Sequence, residues 1–425
     1  MIRLRARVLP PLVAVLAILQ LVAPYRGWTI LLVGLGGAWI IAYLWARSLA
    51  RGLGLQRETR FGWQQVGDQM LERFTLANEE WAPASWVELL DRSTLPDHPG
   101  HRVTSVSGYH SIRWHESLVC NRRGVFTLGP TDLRTADPFS IYSVRRHEAA
   151  TSTLVVMPPI LPLPQIEVAP GGRVGEARTR APALEHSVSA GQVREHMPGD
   201  SIRRIHWPTS ARKDDLYIRL FDTAPTGDWW IVLDLDRRVQ AGEGMDSTEE
   251  HGVILSASLM DRGLRSGRAV GLTTTDQEDR LAWIRPGSGE AHRWKLLHAL
   301  ALAGPGTTSL SELLKRVRPS LARPASLIVI TPDGAGRWVE GVLALTLRGV
   351  VPTVLLLDAA SYRASYGASF GGRGDTRTVA ELLADAGISH QIIHRDDLDP
   401  SQIGFPRRDD KRKVDLSEAP WTVLR

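Results

Sequence analysis

Two uncharged apolar runs open the chain, VLPPLVAVLAILQLVA at 8–23 and WTILLVGLGGAWIIAYLWA at 28–46, with PYRG between them. Each approaches the ~20 apolar residues needed to cross a bilayer, so residues 1–50 predict a two-helix transmembrane hairpin. A secretory signal peptide fits poorly, because the second run follows at once and no small-residue cleavage site separates the two. Past residue 55 the period drops to two. MLERFTLANE (70–79), SWVELLDRS (85–93), SIRWHESLVC (111–120), GVFTLGPTDLRTADPF (124–139) and TSTLVVMPPI (151–160) alternate and are broken by Gly, Pro and Asp. Short strands at this spacing predict a small antiparallel β-sandwich over 55–160. Residues 161–190 are rich in Pro, Gly and Arg without periodicity, and predict an exposed linker.

From residue 228 the pattern alternates between strand and helix. DWWIVLDLD (228–236), RAVGLTTTD (268–276), ASLIVITPDG (325–334), VPTVLLLDAA (351–360) and SHQIIHRDD (389–397) read as strands. Between them lie helical stretches at 247–267, 290–304, 309–321, 337–349 and 376–387, the first with Ser247 as N-cap and Glu250 at capping-box spacing. Strands apolar on both faces that alternate with helices predict a doubly wound parallel α/β domain over 228–400. The fold class is therefore α/β plus all-β behind a membrane hairpin. A short motif segment occupies 191–227, and 401–425 reads as a loose charged tail.

Composition changes this picture in two places. The lone cysteine, Cys120, excludes an internal disulfide and every multi-cysteine metal site. The net charge of +5 suggests a nucleic-acid partner until it is located: residues 1–60 hold eight arginines against Glu58, +7 in all, which leaves −2 for the rest. A slightly acidic folded part lacks the footprint of a nucleic-acid domain. Arg3, Arg5 and Arg7 precede the hairpin and Arg47, Arg51, Arg57 and Arg60 follow it, whereas its turn carries Arg26 alone. The positive-inside rule then places both termini in the cytoplasm, with two spans in the plasma (inner) membrane. Trp28, Trp39, Tyr43 and Trp45 lie near the ends of the second run, where amphipathic rings favour the interface.

The densest chemistry sits in REHMPGDSIRRIHWPTSAR, 194–212. Pro198-Gly199 fits a type II turn, and Asp200 fits the N-cap of a short helix from Ser201 on which Ile202 and Ile205 bury with Trp207. Arg194, Arg203, Arg204 and Arg212 present forks suited to phosphate or to a partner's carboxylates. Equally, Glu195, Asp200, Asp214 and Asp215 are placed to satisfy them internally, as a clamp at the entrance to the α/β domain. His196 and His206 lack companion ligands for a metal. GRGD (372–375) resembles an adhesion tripeptide but falls on the cytoplasmic side, and the glycine-rich GPGTTS (304–309) and GGRVGEAR (171–178) lack the ending of a phosphate-binding loop.

A membrane hairpin, a β-rich segment closing on RRGVFTLGPTDLRTADPF, and then VREHMPGDSIRRIHWPTSARKDDLYIRLFD before an α/β domain together resemble the bacterial family catalogued as domain of unknown function 58. The resemblance implies a von Willebrand factor A-like α/β domain and an association with MoxR-type AAA+ ATPases and neighbouring membrane proteins. It implies no enzymatic activity. Domains of that fold can bind Mg²⁺ through Asp-x-Ser-x-Ser, a Thr and an Asp-Gly. Here Asp234, Asp236 and Asp333 occupy corresponding positions, Thr273 to Thr275 correspond loosely, and Arg238 replaces the second hydroxyl. An arginine there repels a cation and could itself neutralise Asp234 or Asp333.

The leading expectation is a membrane-anchored adaptor or scaffold, not an enzyme, with no resident cofactor, whose α/β domain binds a protein partner such as a MoxR-type ATPase. Two alternatives stay open. One is a divalent-metal enzyme or sensor using Asp234, Asp236 and Asp333 with Mg²⁺. The other is a module that reads anionic membrane surface through its arginines.

Overall fold

The computed structural model describes residues 1–60, 62–163, 165–169, 192–195, 207–213, 215–220, 227–321, 325–363, 374–398 and 422–423. The chain divides into two units, residues 1–157 with 405–425 and residues 158–404.

The first unit begins with strand β1 (Ile2–Leu4) and the apolar helices α1 (Leu9–Val22) and α2 (Arg26–Gly52). Strands β2 (Leu53–Thr59), β3 (Trp63–Gln65), β4 (Gln69–Asn78), β5 (Ala84–Asp91), β6 (His101–Val106) and β7 (His110–Val119) follow. The strand series continues with β8 (Gly124–Leu128), β9 (Thr131–Ala136), β10 (Tyr142–Glu148) and β11 (Ser152–Met157). One sheet runs β1-β10-β9-β5-β6, a second runs β3-β11-β8, and a third places β4 between β2 and β7. The sequence pattern marks β4, β5, β7, β8, β9 and β11, but it misses β1, β2, β3, β6 and β10, whose short or charge-rich runs carry little apolar alternation.

Helix α2 passes into β2 without a linker. Its last turns set Ala42, Ala46 and Leu49 on one face, and all three are buried. Ala46 and Leu49 pack with Leu53, Leu76, Val87, Leu133 and Val144 in the core between the sheets. Gly52 closes the helix where Glu80 and Asn78 leave no room for a Cβ. Among the described residues, α2 is the helix long and apolar enough to cross a membrane, by length and composition; α1, with 14 residues, is shorter.

The second unit opens with an antiparallel pair, β12 (Gln192–Glu195) and β13 (Tyr217–Leu220), with helix α3 (Trp207–Lys213) between them. Next come β14 (Asp228–Leu233), the two-residue strands β15 (Gly242–Glu243) and β16 (Asp246–Ser247), α4 (Thr248–Arg265), β17 (Val270–Thr275) and β18 (Leu281–Gly287). Then follow α5 (Glu290–Leu302), α6 (Leu310–Val317), β19 (Ala325–Thr331), α7 (Val339–Thr346) and β20 (Val351–Leu357). Helices α8 (Ala359–Arg363) and α9 (Thr376–Asp385) and strand β21 (Ser389–Ile393) complete the unit. The main sheet has the order β18-β17-β14-β19-β20-β21. Its strands are parallel except β18, which pairs antiparallel with β17 and departs from the all-parallel expectation.

Both faces of this sheet are apolar. Trp230, Val232, Leu327, Val329, Val354 and Leu356 pack under residues of α6, α7 and α9. Opposite, α4 comes so close that a Cβ at Gly252 would stand 2.9 Å from Leu233 Cδ1, with Leu357 and Ile330 within 4 Å. Ser247 caps α4 by accepting the Glu250 amide at 3.1 Å, as the capping-box spacing implied.

Two expectations about irregular segments are corrected. The stretch read as an exposed linker over 161–190 begins as packed structure, with Leu161, Leu163 and Ile166 buried. The Leu161 amide donates to Ser258 Oγ at 2.8 Å, and Arg262 Nη1 donates to the carbonyls of Leu163 and Ile166 at 2.9 and 2.7 Å. Apolar residues at 161, 163 and 166 cover α4, which the linker reading, made on Pro and Gly content, overlooked; residues 170–190 lie outside the described residues. In the tail read as loose, strand β22 (Thr422–Val423) pairs antiparallel with Glu58 and Thr59 of β2.

Arg262→Met keeps the apolar stem but leaves two carbonyls without their donor. It should lower the stability of the second unit by about 1–3 kcal/mol and speed proteolysis before Ala169. Proteolytic half-life and urea midpoint measure both effects.

Candidate functional site

From β14 the chain proceeds to β17 on one side, and β19 later takes the place on the other, so the connections diverge between β14 and β19. In open α/β sheets the crevice at such a point, beyond the C-terminal strand ends, is where ligands bind. Asp234 and Asp236 follow β14 directly, and Asp333 lies two residues past β19. The structure therefore brings all three acids together, as the sequence suggested.

Their geometry is closed. Asp234 is 1% exposed; its Oδ1 accepts the Asp236 amide at 3.1 Å and its Oδ2 accepts the Thr331 hydroxyl at 2.6 Å. Thr331 Oγ1 in turn accepts the Asp333 amide at 3.0 Å, and Asp333 Oδ1 accepts the Ala335 amide at 2.8 Å. Asp236 is held by Arg238, whose Nε lies 2.9 and 3.0 Å from the two carboxylate oxygens and whose Nη2 donates to Oδ2 as well. The same Nη2 donates to the Thr307 carbonyl at 3.3 Å. The guanidinium therefore neutralises Asp236, not Asp234 or Asp333 as the sequence reading allowed. The carboxylate beneath it is 6% exposed while the arginine side chain is 66% exposed, so the crevice offers solvent the Nη1 end of a fixed guanidinium whose Nε and Nη2 are bonded inward.

Burial dominates the electrostatics. It pushes the Asp234 carboxyl up to about 7, with Asp333 and Asp236 adding like charge and the hydrogen bonds from Thr331 and Asp236 pulling the other way. Asp333 is raised for the same first reason, and the Asp236 carboxylate pairing holds Arg238 above its usual value.

A divalent cation does not fit these donors. Hard cations need several free oxygens, whereas both carboxylate oxygens of Asp236 face Arg238 and both of Asp234 are already hydrogen-bonded. No group of three or more His, Cys, Asp or Glu suited to a metal occurs among the described residues. Thr273 to Thr275 do not reach the acids: Thr273 and Thr274 are buried within β17, and Thr275 Oγ1 donates to the Gly304 carbonyl at 3.1 Å.

Sequence reasoning missed Thr331 and the brace around it. The Thr-Pro-Asp-Gly run ending β19 was the available signal for Thr331. GPGTTS turns out to be that brace: the Gly306 amide donates to the Leu235 carbonyl at 2.9 Å, and the Arg237 amide donates to the Gly306 carbonyl at 3.0 Å. Asp279 then takes the Thr307 amide at 2.7 Å. In GRGD, Gly374 (φ 102°) passes so close to Gly334 that no side chain fits, and Asp375 caps α9 through the Arg377 amide.

The 194–212 motif is only partly described. Arg194 stands in β12 opposite Ile218 of β13, while Asp200, Arg203, Arg204, His196 and His206 lie outside the described residues. Arg212 is exposed near the end of α3. Trp207, expected to bury with Ile202 and Ile205, is instead 64% exposed. The seven-residue α3 buries Ser210, whose Oγ accepts the Tyr217 amide at 2.8 Å, and Trp207 one turn earlier stays in solvent.

Residues 192–361 match the family described as "Protein of unknown function DUF58". The chain is 28% identical over 176 residues to the uncharacterised protein YeaD of Bacillus subtilis, covering 40% of each. It is 21% identical over 173 residues to the uncharacterised protein Rv1480 of Mycobacterium tuberculosis, covering 40% of this chain and 54% of that one. The match thus spans about half or less of these relatives' length. Among solved structures, an aerotolerance-related membrane protein from Bacteroides fragilis is similar at 15% identity and a TM-score of 0.29, covering 42% of this chain and 96% of that one.

An acid raised by burial is more stable neutral, so the Asp234 contribution to folding is fully present at low pH and is lost as pH rises from about 4 to about 7. His251, pushed down to about 4 by burial, contributes the opposite slope up to its ordinary value of 6.5. The diagnostic quantity is therefore a difference. Asp234→Asn should gain stability over the native chain as pH rises from about 4 to about 7, by on the order of a few kcal/mol, and hold that gain at higher pH. Hydrogen-exchange protection of β14 and β19 against pH reads it.

Proposed function

We propose that the protein is a membrane-anchored adaptor, a reading suggested by the match of residues 192–361 to the family described as "Protein of unknown function DUF58". Its α/β domain engages a protein partner at the C-terminal edge of the sheet. The observation that carries this reading is the exposed Arg238 guanidinium, locked on buried Asp236 over the strand-divergence crevice. Its Nη1, left over from the bonds to Asp236 and Thr307, suits a partner's acceptor such as a carboxylate oxygen, because a guanidinium already held in place loses little side-chain freedom on binding. Trp207, exposed at the start of α3, adds the kind of aromatic that anchors interfaces.

The strand order with antiparallel β18 at the edge supports relating the domain to the von Willebrand factor A fold. The resemblance that suggests this relation also makes a MoxR-type AAA+ ATPase the partner class to test first. The apolar helices supply the anchor in the plasma membrane, as two spans with both termini cytoplasmic. In this reading Asp234, Asp236 and Asp333 organise the crevice and take part in no catalysis.

The test is capture from native membranes by the full-length chain. Arg238→Glu and Arg238→Gln should each reduce the co-purified ATPase about tenfold or more, equivalent to ~1.4 kcal/mol, and should also lower the melting temperature, because buried Asp236 loses its counter-charge. Undiminished capture by both variants would refute the site. A rise in melting temperature with Mg²⁺ that Asp234→Ala removes would favour the cation-binding alternative instead.

A further inference from the structure

The base of the apolar hairpin is built unlike a bare anchor. Val13 faces Gly36, where a Cβ would stand 3.9 Å from Val13 Cγ1, and with the short turn at 23–25 this sets α1 antiparallel to α2 with Leu9 about level with Ile40. Above that level the hairpin rises only about 20 Å, at 1.5 Å per residue over the 14 residues of α1. A bilayer's hydrocarbon core is about 30 Å thick, so the hairpin alone is too short for it. The strands flanking the hairpin, β1 and β2, both belong to the sandwich unit, so both ends of the hairpin are held on one side of any bilayer it enters.

Aromatic side chains crowd this base. Trp39 Nε1 donates to Tyr142 Oη at 2.6 Å, and Tyr43 meets the Tyr142 ring edge-on at 5.7 Å. Trp45 Nε1 donates to the Pro83 carbonyl at 3.1 Å and meets Trp81 edge-to-face at 5.4 Å. Beside them the turns of the sandwich carry exposed rings: Trp81 at 47%, Tyr109 at 70% and Phe139 at 61% exposure. Hydrogen bonds tie those turns to the hairpin base. The Tyr109 amide donates to the Glu80 carbonyl, and the amides of Arg5 and Ala6, just before α1, donate to the Ile141 carbonyl. Arg5 and Arg7 are exposed at the foot of α1, and Arg47 is exposed one turn beyond Tyr43.

We propose that this collar seats the sandwich in a phospholipid bilayer: its rings enter the headgroup region and Arg5, Arg7 and Arg47 pair with lipid phosphates. Amphipathic rings favour that depth, and guanidinium forks suit phosphate. Seating the collar there supplies the depth that the hairpin lacks. The inference rests on the membrane anchoring proposed above and is independent of the adaptor's partner.

The test uses the full-length chain in phosphatidylethanolamine–phosphatidylglycerol vesicles, with buried Cys120 kept and one nitroxide-labelled cysteine added per variant. Val33→Cys reports the hairpin, Tyr109→Cys and Phe139→Cys the collar, and Val119→Cys the far end of β7. Collisions with oxygen and with a water-soluble nickel chelate give each label's depth. The Val33 label should be lipid-immersed, and the two collar labels should meet nickel several-fold less often than the Val119 label. Collar labels as open to nickel as Val119, with Val33 immersed, would overturn the collar and leave the anchor standing. A Val33 label open to nickel would overturn both. Adding Arg5→Glu and Arg7→Glu to Phe139→Cys should move that label outward toward the Val119 value, and no movement would overturn the phosphate pairing.

Discussion

Strand β14 has apolar side chains on both faces, Trp230 and Val232 toward α6, α7 and α9, and Ile231 and Leu233 toward α4. Apolar surface must be covered, and each fully buried side chain of this size contributes roughly 1.5–3 kcal/mol over leaving it in water. For the main sheet the covering comes from the chain itself, as helices on both faces and the stretch at 161–169 over α4. For α2 the chain covers only part. The sandwich buries Ala42, Ala46 and Leu49, while Ile30, Val33, Ile40 and Leu44 remain exposed and call for an apolar surrounding outside the protein.

The same rule concentrates polar chemistry. A sheet covered on both faces leaves its strand ends as the places where charged side chains reach water, and Asp234, Asp236 and Asp333 occupy such ends. There the degree of burial separates their behaviour. Asp234, deepest, is pushed up to about 7 and leans on the Thr331 hydroxyl, whereas Asp236, one step outward, is paired with Arg238. A buried carboxylate without a counter-charge favours its neutral form, and one with a bidentate arginine stays ionised. The arginine thus takes the space and the charge balance that a cation would otherwise supply.

A comparable choice is made in the sandwich. Arg57 is buried between Asp91 and Glu72, and His98 Nε2 lies 2.7 Å from Glu72. Burial lowers the Arg57 guanidinium from its usual value while Glu72 pulls it back. Removing one partner of such a group leaves an uncompensated buried charge, which costs more than the intact network contributes. It holds the register of β2, β4 and β5 and belongs to the core, away from the crevice.

Periodicity alone made the hairpin, about half of the sandwich strands and the major elements of the α/β unit other than the edge strand β18 legible, because apolar spacing reports directly which faces must be covered. The DWWIVLDLD strand, the Ser247 cap and the three acids are legible in the residue order itself. What the sequence left undecided depended on contacts distant along the chain. Short strands such as β1 and β10 form because each completes the other's ladder, not because either is strongly patterned. Whether Arg238 would meet Asp234, Asp236 or Asp333 turned on a local turn geometry that residue types do not specify. Thr331 joined the site, in place of Thr273 to Thr275, because its hydroxyl reaches Asp234 Oδ2 whereas the Thr275 hydroxyl donates to the Gly304 carbonyl. Likewise GPGTTS and GRGD became structural braces only when Gly306 met Leu235 and Gly374 met Gly334. Local spacing determined which residues were apolar, charged or turn-forming; tertiary structure decided their partners, since hydrogen bonds and ion pairs act over about 3 Å and only folding brings residues a hundred positions apart to that distance.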